Sequence, residues 1–201
     1  MWQDVLTAPA IEEIIAVGKL NSRQIGYGLK PLTNSNLSSG SLAIVTVGPS
    51  QRFENFRREL YQLYTKEDFP LISDLGTLNV NDPGEIPAAL SLCLETLLEK
   101  NIRCVVIGED EAWVSGLFRA MERRKEMACL SRIDKAILSD ISEPENWLGK
   151  IIEGGQDGFL YKYAHLGYQN YLSDPVGLKM LDAMHFEHLR LGELRGSISV
   201  A

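Results

Sequence analysis

The sequence predicts an α/β fold, a three-layer α/β/α sandwich built around a mainly parallel sheet. Three observations carry this expectation. Residues 42–47 (LAIVTV) form a continuous, β-branched apolar run closed by Gly48-Pro49, the pattern of a strand covered on both faces. Residues 103–107 (RCVVI) and 127–133 (MACLSRI) are further runs of strand character. The segments between them have helical spacing, and strand–helix–strand alternation means crossover units and parallel pairing.

The elements follow in order. Residues 10–17 (AIEEIIAV) have helical spacing, with Pro9 suited to a helix start. Residues 21–40 are polar, rich in Asn, Ser and Gly, and read as a loop. Ser50 suits an N-cap, and Phe53, Phe56, Leu60 and Leu63 then make one apolar helical face. Residues 69–73 (FPLIS) read as a short strand, followed by Asp74-Leu75-Gly76. Pro83 opens a second helix carrying Ile86, Leu90, Leu94, Leu97 and Leu98. A helix over 111–125 ends in Arg123-Arg124-Lys125, where cations meet the negative pole of the helix dipole. Beyond the strand at 127–133 come a short helix at 147–152, a strand at 158–163, a helix at 176–184 and a last strand at 189–191. No repeat, heptad or linker follows Gly40. The chain is therefore read as a loosely attached helix and loop over residues 1–40 and one domain over residues 41–201.

Composition narrows the function. The 201 residues are 45% hydrophobic with a net charge of −7. That balance argues against nucleic-acid or anionic-membrane partners, which need clustered Lys and Arg. No apolar run is long enough to span a bilayer, and residues 1–4 (MWQD) show no secretory signal pattern. Cys93, Cys104 and Cys129 have no C-x-x-C spacing and read as reduced core thiols of a cytoplasmic protein.

Several segments together resemble the ureohydrolase family of arginase, agmatinase and formimidoylglutamase. They are Phe56-Arg57-Arg58-Glu59-Leu60-Tyr61, Asp74-Leu75-Gly76, Val105-Val106-Ile107-Gly108-Glu109-Asp110 and Ile133-Asp134. The stretches most similar to the formimidoylglutamase-like branch lie downstream: Trp147-Leu148-Gly149-Lys150-Ile151-Ile152, Tyr161-Lys162-Tyr163, Leu166-Gly167-Tyr168-Gln169 and Arg190-Leu191-Gly192-Glu193. The resemblance covers about residues 42–198 and implies an arginase-like fold longer than this domain. It also implies a two-manganese cluster that activates a bridging water to hydrolyse amidine or guanidine C–N bonds, a chemistry that needs carboxylates and imidazoles on neighbouring strand ends.

The implied ligand turns are altered in this chain. A Gly-Gly-Asp-His turn is matched by Gly108-Glu109-Asp110-Glu111, so Glu111 stands at the histidine position. An Asp-x-His-x-Asp turn is matched by Asp134-Lys135-Ala136-Ile137-Leu138. Only Asp134 remains there, because Ala136 and Leu138 cannot donate to a metal. Lys135 adds a cation beside the site. Asp110 and Asp140 are further candidate donors, Asp140 being two residues out of register. The implied Asp-x-Asp pair falls beyond residue 201. The loop 48–51 (GPSQ), Gly-rich and long in the relatives, is short here.

Other candidates have plainer explanations. Glu109, Asp110 and Glu111 suit the N-terminus of the next helix through its dipole. Gly48-Pro49-Ser50 lacks the glycine spacing of a phosphate loop. His185 and His188 lack a third ligand on their element and read as packing or surface residues. His165 lies among Tyr161, Tyr163, Tyr168 and Tyr171 and is expected to pack on the sheet.

The sequence thus points to a ureohydrolase-like domain that has lost its dimanganese site and serves a structural, binding or regulatory role. No catalytic residue, bound manganese or other cofactor is expected, and the ligand is unnamed. One alternative is an amidine C–N hydrolase whose remaining ligands lie beyond residue 201. Another is a small-molecule binding module at the sheet switch point. A homo-oligomer is expected as the assembly.

Overall fold

The computed structural model describes residues 4, 6–9, 20–27, 29, 39–65, 70–80, 82–108, 113–124, 127–138 and 147–198. The helix expected at 10–17 lies outside them. The chain divides into two compact units, Met1–Ala120 and Met121–Ala201.

In the first unit, four strands pair in the order β1-β3-β2-β4: β1 (Leu6–Thr7), β2 (Leu42–Val47), β3 (Ile72–Leu78) and β4 (Arg103–Gly108). β2, β3 and β4 are parallel, and only the two-residue β1 runs antiparallel, against β3. β2 is central and buried from Ala43 to Val47, as its unbroken apolar run predicts. Helix α1 (Glu54–Gln62) follows a 3-10 turn at Ser50–Phe53, and α2 (Ile86–Glu99) packs on β3 and β4 through Leu90, Leu94 and Leu97.

Three expectations are corrected here. Ser50 is not an N-cap; it lies inside the 3-10 turn, whose N-cap is Pro49 without a side-chain hydrogen bond. The strand expected at 69–73 starts at Ile72 and continues to Leu78, taking in Asp74-Leu75-Gly76. A bulge allows this: Ile44 pairs with Asp74 but Thr46 with Thr77, so β3 carries one extra residue. Gly76 sits there at φ +92, and a Cβ would collide with the Thr7 carbonyl oxygen.

The third correction concerns the inward face of α1. Phe53, just ahead of the helix, is buried, but Phe56 and Leu63 are exposed. The residues that α1 buries are Arg57 and Tyr61, because Asp74 waits beneath them. Arg57 Nε donates to Asp74 Oδ2 at 2.9 Å and Nη2 to Oδ1 at 3.3 Å. The Tyr61 hydroxyl donates to Oδ2 and the Gly76 N–H to Oδ1, both at 2.8 Å. Arg57 Nη2 also reaches Thr46 Oγ1 at 3.0 Å, and the Thr46 and Thr77 hydroxyls meet at 2.8 Å. Burial and the Asp74 charge push the Tyr61 hydroxyl far above its usual range, so it remains a donor.

In the second unit, β5 (Ala128–Ile133), β6 (Leu160–Tyr168) and β7 (Glu187–Arg190) pair in that order, all parallel. Ahead of them, α3 (Val114–Arg124) crosses the boundary between the units and ends in Arg123 and Arg124, as expected. Helices α4 (Trp147–Gln156), α5 (Pro175–Ala183) and α6 (Leu191–Ile198) pack on β6 and β7. The strand at 158–163 is thus longer and later than expected, and α6 was not anticipated. The sequence expects one sheet; the described residues form two. β5 alternates between half-buried and exposed positions, which leaves Cys129 exposed rather than in a core. Cys93 and Cys104 are held protonated by burial, both thiols pushed up to about 12.

α2 and α5 end alike. After α2, the Asn101 N–H donates to Leu98 O and the Ile102 N–H to Leu97 O; after α5, His185 donates to Asp182 O and Phe186 to Leu181 O. Each is a Schellman close, with Asn101 at φ +56 and His185 at φ +57 in the left-handed region. His185 is exposed, so its place is conformational.

Two stability predictions follow from this geometry. Arg57→Met strands a buried carboxylate and lowers unfolding free energy by about 3–5 kcal/mol. Adding Asp74→Asn restores part of that loss because the lone charge is gone: the single amide oxygen can still accept from the Gly76 N–H, and the Tyr61 hydroxyl can turn to accept from the amide NH2; urea unfolding of the two variants checks both. His185→Gly raises stability by about 0.5–1 kcal/mol, read the same way, because glycine adopts the left-handed region without penalty.

Candidate functional site

In parallel α/β sheets, ligands bind beyond the carboxyl ends of the strands. In the second unit this end carries the loops after β5, β6 and β7. The loop after β5 is the altered ligand turn, residues 134–138, and the loop after β6 pins it by main-chain bonds. Gln169 N–H donates to Lys135 O at 2.9 Å and Asp174 N–H to Ile137 O at 2.7 Å. Ile137 N–H donates to Ser173 Oγ at 3.1 Å, and the Ile137 side chain is buried. An apolar residue anchors the turn between the positions where the resemblance implies metal donors.

Of the predicted site residues, Asp134 alone is described; Glu109, Asp110, Glu111 and Asp140 lie outside the described residues. The Asp134 carboxylate is paired with the guanidinium of Arg132. Behind it, the Asp134 carbonyl meets His165 Nε2 at 3.3 Å, and His165 Nδ1 meets the Tyr163 hydroxyl at 3.0 Å. His165 is buried as expected. Burial, then the Arg132 charge, lower its pKa to about 4, so the ring is neutral at pH 7. Among the described residues no group of three or more His, Cys, Asp or Glu could hold a metal ion. With Arg132 on Asp134, and Ala136 and Leu138 at donor positions, the turn does not fit a dimanganese cluster.

The ends of β6 and β7 instead frame an open cleft of about 530 Å³, with Tyr168, Gln169, Tyr171, Arg190, Glu193 and Arg195 among its walls. Tyr168 is buried, and its hydroxyl meets His188 Nδ1 at 3.3 Å. His188 Nε2 in turn meets Asp182 Oδ1 at 2.9 Å. Burial first, then Glu193, raise the Tyr168 pKa, so its phenol stays protonated. His188 is thus a packing residue, as expected, and it orients a wall of the cleft. Sequence reasoning assigned no ligand role to these walls. The available signal was the pair of branch-like segments, 166–169 and 190–193, which the fold brings to one cleft.

The parallel strands, crossovers and carboxyl-end loops define an α/β protein. Solved structures show which α/β fold it is. Trypanosoma cruzi formiminoglutamase with Mn2+ matches with a TM-score of 0.62 at 13% identity, covering 90% of this chain and 69% of that one. An oxidised form of the same protein, also with Mn2+, gives 0.58 at 15% identity, with 86% and 65% covered. A triple mutant of a T. brucei arginase-like protein bound with Mn2+ gives 0.52 at 12% identity, with 93% and 67% covered. The chain thus spans about two thirds of the length of these structures. The likeness shows the fold, and the chain has the ureohydrolase fold that its sequence resembles. No protein-family model and no curated protein matches it.

The buried His165 makes stability depend on pH. Its folded pKa of about 4 lies below the ordinary histidine value of 6.5, so the unfolded chain binds the proton more readily. Its contribution is full above pH 6.5 and is lost as pH falls to 4, roughly 3 kcal/mol in all. Urea midpoints across this range should fall for the parent protein and fall less for His165→Gln.

Proposed function

We propose that this chain uses the ureohydrolase fold without dimanganese hydrolysis, as a binding protein whose ligand occupies the cleft beside β6 and β7. The observation that carries this reading is the Arg132–Asp134 ion pair. Amidine hydrolysis of the ureohydrolase kind requires a water activated between two metal ions, and such a site needs several anionic or imidazole donors. Here the one described carboxylate at an implied ligand position already faces a guanidinium, and its turn is held through Lys135 and Ile137 rather than by donors. A cation beside the carboxylate opposes the approach of a divalent ion. The cleft supports a binding role through its size, which falls in the usual range for small-molecule sites, and through its place at the strand ends.

The free thiols Cys93, Cys104 and Cys129 suit a reducing, cytoplasmic setting, and no helix among the described residues is long and apolar enough to cross a membrane. Self-association belongs to the same proposal. Among the described residues β5 pairs only with β6, and Ile133 on it is 79% exposed. An open strand edge bearing apolar side chains recruits a partner.

Metal analysis and light scattering test these points. After Mn2+ loading and desalting, the protein should retain far less than one ion per chain and show no hydrolysis of arginine, agmatine or formimidoylglutamate. Stoichiometric Mn2+ that disappears in Asp134→Ala would overturn the reading. Light scattering at high concentration should give the mass of a dimer, and a clean monomer would remove the self-association.

A further inference from the structure

We infer that the cleft at the ends of β6 and β7 is a site for a small carboxylic acid with an apolar body. This deepens the binding role proposed above and rests on it. Three features of the cleft carry it.

The first is charge. Glu193 spends both carboxylate oxygens on Arg190: the Arg190 backbone N–H donates to Oε2 at 3.0 Å, and Nη2 donates to Oε1 at 2.7 Å. This is the reciprocal bond of a capping box, with Arg190 at the N-cap of α6 and Glu193 at the third helical position. It fixes the Arg190 backbone and cancels one positive charge against one negative. Arg195, also on α6, forms no ion pair among the described residues. Among the described residues the cleft therefore carries one uncompensated cation, which matches one carboxylate.

The second is the wall opposite α6. The Tyr168 ring is held edge-on between His165 and His188, with centroids 6.4 and 5.5 Å away. Its hydroxyl is turned to His188, and Asp182 holds the far side of that imidazole. A phenol fixed in this way is rigid, and at 6% exposure it contributes a small patch of ring to the cleft. Tyr171, 80% exposed, adds a second ring and Leu191 an aliphatic side chain.

The third is size. A volume of about 530 Å³ exceeds what a bare inorganic anion fills and suits a molecule with a hydrocarbon or aromatic body. A guanidinium recognises a carboxylate through paired N–H donors, whereas a neutral amide of the same shape offers it a weaker acceptor.

Benzoate, benzamide and inorganic phosphate are the probes. Each is titrated into metal-free, EDTA-treated full-length protein and followed by calorimetry and by backbone amide NMR shifts. Benzoate should bind about tenfold more tightly than benzamide, the difference expected for one charge-assisted contact. Its shifts should centre on Gln169, Gly192 and Arg195, and phosphate should bind more weakly than benzoate. Arg195→Gln, an exposed change, should remove the preference over benzamide while the melting temperature stays unchanged. Equal binding of benzoate and benzamide, phosphate binding as tight as benzoate, or shifts that map elsewhere would each overturn the inference. Because no metal is present, these failures are separate from failure of the non-hydrolytic reading, which Mn2+ uptake alone decides.

Discussion

The buried pair of Arg57 and Asp74 is the constraint around which the first unit is arranged. A carboxylate with no exposed side-chain area and a guanidinium at 2% are tolerable only if nearly every polar atom finds a partner. That requirement reaches into three elements. It turns α1 so that Arg57 and Tyr61 face inward, places hydroxyl residues Thr46 and Thr77 side by side on β2 and β3, and keeps the Gly76 N–H free to donate to Asp74. The bulge in β3 belongs to the same arrangement, since the extra residue brings Thr77 level with Thr46. An apolar pair would hold these elements together with less specification. A charged pair admits one register, because a one-residue slip of β3 would point Asp74 to the other face.

The second unit rests on a different device. Its carboxyl-end loops are tied to each other by main-chain bonds from Gln169 and Asp174 to the 134–138 turn. Main-chain ties hold a loop in place whatever its side chains are. The turn can therefore lose the residues a metal would need and keep its path, with Ile137 as an apolar anchor and Arg132 neutralising Asp134. The loop after β6 that makes these ties also walls the cleft, through Gln169 and Tyr171. Arg132 has two effects here, pairing with Asp134 and helping to keep His165 neutral.

The fold was largely legible in the sequence because its signals are local. The β2 run, the helical spacing of Leu90, Leu94 and Leu97, and the basic end of α3 each depend on a few neighbouring residues. Boundaries failed where a distant partner intervened. β3 runs on through Asp74-Leu75-Gly76 because β1 and β2 supply bonds to it, and β6 runs to Tyr168 because β7 pairs along its second half. The inward face of α1 was misread for a related reason. Hydropathy ranks Phe56 and Leu63 as core and Arg57 as surface, and no local rule says that an aspartate 17 residues later will reverse the order.

The sequence by itself determined the α/β class, since local patterning carries it directly; its segments also carried the ureohydrolase resemblance, which implies donor positions that Ala136 and Leu138 occupy without donating. Only the tertiary structure decided what Asp134 and the two branch-like segments do. Asp134 directly follows β5, two residues after Arg132, with its backbone N–H still bonded to Leu166 O, so the two side chains can pair. Segments 166–169 and 190–193 are separated by a helix, yet parallel pairing of β6 with β7 sets Tyr168 beside Arg190. A cleft made from strand ends exists only once the strands are in register, because none of its walls is complete within a single segment.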